Sequence, residues 1–332
     1  MQIKGIEFNV NAASGSLGFF GEGYWYHQIF KWIIPFFKKT TENMVFVSKT
    51  STWDFQIGNL SLKGDYTPRY LMPSCIKVYP FQGMMLNAVN LSGPGFKKLM
   101  ATGKWQNLKR EALGISFMPV GKTLEEMMWE TRSFRDAIIE AIKQSAFRSP
   151  IWIQVNLSCP NTDQDQKVLI DSATDILEIL DSLRTEYGLV IDLKVNLLMP
   201  NAVIKRLWEL NLCDLMTISN TIKFGTPVLG IEWNRLFWWR RTSPLASLGG
   251  GGLSGKPLFD VLCHKISSLR QENIRRGSVA LRLKASGGIC SVNRIKVIRA
   301  YGADAIEFAT AISLRPWNVP GMVKAAKKLF SD

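Results

Sequence analysis

The sequence predicts an α/β protein with a (β/α)8 TIM barrel and loop insertions, built as one domain over residues 1–332. Apolar strand-like runs alternate with amphipathic helix-like runs along the chain. Several strand-like runs also end abruptly in polar side chains, which is typical of the C-terminal mouth of a parallel barrel. With 46% hydrophobic residues, a chain of this length can bury one large core.

Cysteine and histidine usage limits the chemistry. The five cysteines are widely spaced, without a CxxC pair, which indicates a reducing, cytoplasmic compartment and argues against a disulfide framework, a zinc site or an iron–sulfur cluster in this chain. Only two histidines are present, so no metal site or histidine triad is expected. The N-terminal residues lead into a strand-like segment rather than an apolar signal segment.

The formal net charge of +14 is compatible with nucleic acid, an anionic membrane surface or small anionic ligands. Lysines and arginines are spread along the chain without a dense basic tract or a nucleic-acid motif. A generally solvated basic surface is therefore the favoured interpretation, and no nucleic-acid partner is expected.

The first strand is predicted over residues 6–15 and ends in the small residues Ala13, Ser14 and Gly15, which let a ligand approach the backbone. Residues 24–39 follow as an aromatic helix. The favoured interpretation is the first outer helix of the barrel. The alternative is a membrane-facing or partner-facing surface, because so many large aromatic side chains are hard to bury on one stripe.

The second strand, residues 44–52, is apolar until it reaches Lys49 and Thr50. A lysine at the polar end of a barrel strand indicates a ligand contact, since its charge is costly in a core. Residues 86–91 then bring the polar side chain of Asn87 and the apolar side chain of Leu91. The elements predicted next are a helix at 95–104, a strand at 115–120 and a helix at 124–147.

The fourth strand, residues 151–157, ends in a cluster of short polar side chains that also contains Cys159. Taken alone, Cys159 is more often a small core residue than a reactive one. Asn156 and Asn161 belong to the cluster, which suits a flat polar ligand whose edges must be hydrogen-bonded.

A helix is predicted at 170–187 and the fifth strand at 189–195, where Lys194 is flanked by apolar residues and is therefore expected to be buried. After a helix at 201–211, the sixth strand at 215–221 ends in Asn220 and Thr221. Residues 222–248 are a long insertion rich in tryptophan and arginine, which predicts a cap or an interface.

A phosphate site is predicted from three glycine-containing segments near the chain's end. A glycine cluster with Gly252 and Gly255 precedes a helix at 258–271, and Gly287 and Gly288 end the seventh strand. The eighth strand, at 305–311, carries Ala309 and Thr310, in the part of a barrel where phosphate sites are commonly built. A flexible loop is the alternative for the glycine cluster.

The run Asn-Leu-Ser-Cys-Pro-Asn-Thr at 156–162 resembles the active-site signature of the dihydroorotate dehydrogenase family, and the other segments repeat that resemblance in order from Ala13 to Thr310. The resemblance implies FMN as cofactor. It implies flavin contacts from a set spread over the chain: Ala13, Ser14, Gly15, Lys49, Thr50, Asn156, Lys194, Gly252, Gly255, Gly287, Gly288, Ala309 and Thr310.

The same resemblance implies dihydroorotate and orotate as the substrate pair, in pyrimidine biosynthesis. Cys159 would be the catalytic base, and Lys194 would stabilise the reduced flavin. The implied substrate contacts are Lys49, Asn87, Leu91, Asn156, Asn161, Asn220 and Thr221.

The features are mixed within the family. Lys49-Thr50 and Cys159 resemble the class 1 enzymes, whereas Ser219-Asn220-Thr221 and the glycine cluster resemble the quinone-linked class 2. Fumarate, a quinone, or NAD through a partner subunit remain alternatives as electron acceptor, and a homodimer or a peripheral membrane contact is compatible with the sequence. The alternative functions are another FMN barrel acting on a reduced pyrimidine, like dihydropyrimidine dehydrogenase or a tRNA dihydrouridine synthase, and a non-catalytic flavin-binding subunit.

Overall fold

The computed structural model describes residues 1–34, 36–157, 172–238, 241–276 and 280–331. The strands in chain order are β1 Gln2–Ile3, β2 Ile6–Glu7, β3 Val10–Ala12, β4 Val45–Val47, β5 Ile76–Tyr79, β6 Met84–Asn87, β7 Leu113–Phe117, β8 Ile151–Asn156, β9 Ile191–Val195, β10 Leu215–Ile218, β11 Ile222–Lys223, β12 Gly252–Gly255, β13 Leu283–Ser286 and β14 Ala305–Phe308.

Helices follow most of the barrel strands. The α-helices in the described parts of the chain are α1 Trp25–Ile33, α2 Phe37–Glu42, α3 Phe96–Ala101, α4 Leu124–Lys143, α5 Ala173–Thr185, α6 Asn201–Glu209, α7 Trp233–Leu236, α8 Phe259–Arg276, α9 Val292–Ala300, α10 Thr310–Leu314 and α11 Val319–Leu329. Short 3-10 turns cover Ala246–Leu248, Lys256–Leu258 and Pro316–Asn318.

Eight strands close into a parallel barrel in the order β3, β4, β7, β8, β9, β10, β13, β14 and back to β3. The predicted (β/α)8 fold is thus confirmed, and each of the eight predicted barrel strands overlaps a barrel strand of the structure. All six residues of β8 are buried, because helices cover the outside of the sheet while other strands face it inside.

The helix α4 shows how local sequence fixes an outer helix. Its first turn is closed by a capping box, in which the Thr123 hydroxyl accepts from the Glu126 backbone and the Glu126 carboxylate accepts from the Thr123 backbone. One face of this helix is buried, and Phe134 stacks on Phe117 of β7 with ring centroids 4.0 Å apart.

The N-terminal end of the barrel is closed by the antiparallel hairpin β1–β2. Ile3 and Ile6 of this hairpin pack in one apolar cluster with Phe8 and Trp152. The opposite end, where the strands finish, is therefore the end left for a ligand cavity.

A second sheet of four antiparallel strands, in the order β11, β12, β6, β5, lies outside the barrel. The glycine cluster, considered above as a phosphate loop or a flexible loop, contributes β12 to this sheet. The start of the 222–248 insertion forms β11, and its aromatic residues Phe224, Trp233 and Phe237 pack together and reach Tyr79 of β5. Whether it acts as a cap or an interface stays a prediction.

No helix in the described parts of the chain is long and apolar enough to cross a membrane.

Candidate active site

A cavity of about 1030 Å³ opens at the carboxyl ends of the barrel strands. One part of its lining, called here the strand-end wall, consists of residues at or directly after the barrel strands. These are Ala13, Ser14, Gly15, Lys49, Thr50, Asn156, Lys194, Ser219, Asn220, Thr221, Ser286, Gly287, Gly288, Ala309 and Thr310.

A chain of hydrogen bonds runs along the strand-end wall and joins four barrel strands. The Ser14 and Thr50 hydroxyl oxygens are 3.0 Å apart, and the Asn156 amide donates to the Thr50 oxygen at 3.1 Å. The Asn220 amide in turn donates to the Asn156 carbonyl oxygen at 3.1 Å. Side chains held in this way are pre-organised to present fixed donors and acceptors to a ligand.

Lys49 lines the cavity, and its ammonium donates to the Ser92 backbone oxygen at 2.6 Å. The same ammonium lies 4.9 Å from the centroid of the Phe19 ring. Asn87, at the end of β6, and Leu91, in the loop that follows, also line the cavity. The outer sheet therefore adds its own residues to the site beside those of the barrel.

Gly287 and Gly288 of the strand-end wall and Gly255 of β12 all line the cavity, and they bring backbones close together. A Cβ on Gly288 would lie 2.8 Å from the Gly255 carbonyl oxygen, and a Cβ on Gly255 would lie 3.1 Å from the Thr310 methyl. Gly255 and Gly287 both have positive φ angles, of 102° and 136°. The result is a stretch of cavity wall made of backbone rather than side chains.

Lys194 is 5% exposed and lines the cavity, and its ammonium group lies 2.5 Å from a carboxylate oxygen of Glu307. Burial alone opposes ionisation of Glu307, but the charges of Lys194 and Lys284 outweigh it and lower the pKa of Glu307 to about 2. At neutral pH Glu307 is thus a carboxylate. Sequence reasoning identified Lys194 and missed Glu307, although a glutamate between Ile306 and Phe308 gives the same signal.

A second part of the lining, called here the apolar wall, comes from α1 and from residues 60–78. Trp25 and Phe30 of α1 line this part of the cavity together with Leu71 and Met72, and the Trp25 indole donates to the Leu71 backbone oxygen at 2.8 Å. The helix predicted at 24–39 therefore helps to line the site, which the sequence did not indicate. It is interrupted, since α1 ends at Ile33 and α2 begins at Phe37.

The structure brings nearly all of the predicted site residues that it describes to this one cavity. The exception is Gly252, which pairs with Asn87 between β12 and β6 and does not line the cavity. Cys159 and Asn161 lie outside the described residues.

The four described cysteines, Cys75, Cys213, Cys263 and Cys290, do not line the cavity. Burial raises the pKa of Cys263 to about 11 and raises the pKa of the Cys75 and Cys213 thiols as well. Thiols of this kind are inert at neutral pH, so none of these three is a candidate base.

Comparison with known proteins found no matching family model and no matching curated protein. Among solved structures, the chain is similar to a crystal structure of DHODH from Eimeria tenella in complex with ferulenol. The similarity has a TM-score of 0.67 at 18% sequence identity, and it covers 99% of this chain and 83% of that one. The chain thus shares the barrel fold of that DHODH over nearly its whole length.

Proposed function

We propose that the protein is an FMN-dependent oxidoreductase that converts dihydroorotate to orotate in pyrimidine biosynthesis. The observation that carries this proposal is the convergence of two lysines and three asparagines, from separate elements, on one cavity with a backbone-lined wall. These residues are Lys49, Asn87, Asn156, Lys194 and Asn220. The fold shared with a DHODH supports the same proposal.

The described residues fit FMN. Gly255, Gly287, Gly288, Ala309 and Thr310 all line the cavity, and none has a side chain longer than that of threonine. Backbone N–H groups bind phosphate well. We assign the phosphate to this wall and to Gly287 and Ala309. The flavin ring would be held by Ala13, Ser14, Gly15, Thr50 and Lys194.

Bound FMN would supply the acceptor for the hydride that leaves C6 of dihydroorotate. The amides of Asn87, Asn156 and Asn220 would pair with the polar edges of the pyrimidine ring, and Lys49 would meet its carboxylate. Lys194 would stabilise negative charge on the reduced cofactor. Cys159 is assigned, from the sequence resemblance alone, to remove the proton from C5, a task within reach of a cysteine whose neighbours favour the thiolate.

The test is purification of the full chain followed by reconstitution with FMN. We expect a yellow protein with one FMN per chain that reduces an artificial electron acceptor when dihydroorotate is added. Cys159→Ala should bind orotate normally and lose about 10²–10⁴-fold in the rate of flavin reduction. A protein that takes up no FMN would overturn the proposal, and a wild-type rate in the alanine variant would overturn the role of Cys159.

The same protein preparation can be used to compare the proposed substrate with related compounds. Dihydrouracil and a dihydrouridine-containing tRNA would be assayed beside dihydroorotate, because all three carry the reduced pyrimidine bond. If the protein turned over either of them faster than dihydroorotate, that compound would replace dihydroorotate as the proposed substrate. Fumarate, a quinone and NAD⁺ would then be compared as acceptors.

A further inference from the structure

A cluster of four buried ionisable side chains lies in the barrel interior next to the cavity: Lys194, Lys284, Asp192 and Glu307. Each is at most 5% exposed, and only Lys194 among them lines the cavity. Asp192 lies two residues before Lys194 on β9, so it shares the same face of the sheet one layer deeper in the barrel. The cluster therefore connects the cavity wall to the centre of the barrel.

Glu307 bridges the two lysines. One carboxylate oxygen is 2.5 Å from the Lys194 ammonium, and the other is 3.5 Å from the Lys284 ammonium. Lys284 has a second partner in Asp192, at 2.8 Å, and Asp192 also accepts from the Thr217 hydroxyl at 2.8 Å. Asp192 thus pairs with Lys284, whereas Glu307 pairs with both lysines and lies closer to Lys194.

The short distance between Glu307 and Lys194 affects the electrostatic potential at the cavity. Interactions between charges are strong where water is excluded, so a carboxylate 2.5 Å from the Lys194 ammonium reduces the positive potential that this lysine presents to a ligand. The same contact fixes where the ammonium lies. Asp192 carries a similar charge but has its close contacts with other groups.

We propose that Glu307 is a positioning residue that fixes the Lys194 ammonium at the cavity wall and offsets part of its charge, so that it tunes how strongly Lys194 favours the reduced flavin. This inference rests on the proposed function. It assigns a role to a residue that does not line the cavity.

The proposal predicts shifts of opposite sign in the flavin reduction potential. Lys194→Ala removes the cation, so the potential should fall. Glu307→Gln keeps the size of the side chain and an amide oxygen that can still accept from the Lys194 ammonium, but it removes the offsetting charge, so the potential should rise. If Glu307 only anchored Lys194 and did not offset its charge, the potential would fall or stay unchanged in this variant.

The experiment is a redox titration of the FMN-loaded wild type and the two variants against reference dyes. Asp192→Asn is the matched control, since it removes one carboxylate from the same cluster without touching Lys194, and its shift should be smaller than that of Glu307→Gln. A fall or no change in the Glu307→Gln protein, or an equal rise in Asp192→Asn, would overturn the proposal.

Two further measurements keep the proposal testable if the Glu307→Gln protein does not fold or if no variant binds flavin. Glu307→Gln combined with Lys284→Met removes one charge of each sign, keeps the cluster neutral, and should still raise the potential above that of the wild type. In the apoprotein, the ¹⁵N signal of the Lys194 ammonium, identified by its absence in Lys194→Met, should change its chemical shift in Glu307→Gln and keep it in Asp192→Asn.

A wild type that binds no FMN would contradict the proposed function, and the ammonium signal would then decide the role of Glu307 alone. An unchanged signal in Glu307→Gln would overturn it.

Discussion

For charged residues in the barrel interior, the sequence predicts burial more readily than it predicts contacts. Lys194 is recognisable because a lysine between apolar neighbours has no solvated face, and the structure places it on the cavity. Lys284 and Glu307 lie in equally apolar strands. Their roles, however, depend on an ion pair between two different strands. Sequence patterns reveal which charges are buried, whereas only the fold reveals how they pair.

His27 provides a residue-scale prediction about pH. It is 1% exposed, and its Nδ1 accepts from the Tyr24 backbone N–H at 3.0 Å. Burial, with a smaller effect of Lys31, lowers the pKa of His27 to about 3 from its ordinary value of 6.5. The unfolded chain therefore binds this proton more readily than the folded protein does.

Because the folded pKa of His27 is depressed, its contribution to stability is fully present above about pH 6.5 and is lost as the pH falls toward 3. Between pH 7.5 and pH 5 we expect it to lower the free energy of unfolding by roughly 2 kcal/mol. Urea titrations across this range would measure it. His27→Gln should remove that part of the pH dependence, whereas His264→Gln, at an exposed position, should keep it. Identical profiles for wild type and His27→Gln would contradict the assignment.

At the scale of elements, the barrel strands were predictable and the outer sheet was not. A barrel strand buried on both sides is a continuous apolar run that can be recognised locally, as in Ile151–Asn156. The pairing of β6 with β12 joins Asn87 to Gly252, 165 positions apart, and glycine is unfavourable in strands. The glycines of Gly252–Gly255 therefore indicated a loop where the tertiary structure imposes a strand.

The backbone-lined wall gives an element-scale prediction. Gly288 and Gly249 both have positive φ angles, 66° and 84°, so alanine is strained at either position. Only at Gly288 would the new methyl also clash, with the Gly255 carbonyl oxygen at 2.8 Å and Phe259 at 2.9 Å, whereas nothing lies within 4 Å at Gly249.

Gly288→Ala should therefore weaken FMN binding by about tenfold or more, equivalent to ~1.4 kcal/mol, while Gly249→Ala leaves it unchanged. Fluorescence titration of the apoprotein variants with FMN would measure both. Equal affinities would show that this wall does not hold the phosphate.

On the scale of the whole molecule, exposed apolar side chains and exposed lysines occur together around α1 and α2. Trp32, Ile33 and Phe36, at the end of α1 and just beyond it, are 70% to 90% exposed, and Met72, which lines the cavity, is 88% exposed. The exposed residues Lys38 and Lys39 follow directly in α2. Trp25 stands seven and eight positions before Trp32 and Ile33 on α1, so the three share one apolar face of that helix, and Trp25 also contacts Leu71, which lines the cavity.

Because the chain has a net charge of +14, we infer that this face binds an anionic lipid surface. Apolar side chains would enter the lipid interface while the lysines meet its negative charge. We therefore expect the protein to sediment with vesicles that contain phosphatidylserine, and to do so less as salt is raised, because screening weakens the electrostatic part of the attraction.

Replacing Trp32 and Ile33 with serine should abolish the sedimentation while leaving FMN binding intact, since neither residue lines the cavity. Leu229→Ser is the matched control, because Leu229 is 96% exposed but lies in the 222–248 insertion, away from α1 in sequence. If the protein stayed in solution at low salt, or if Leu229→Ser lost binding as fully as the double variant, the apolar face would have no preference for lipid.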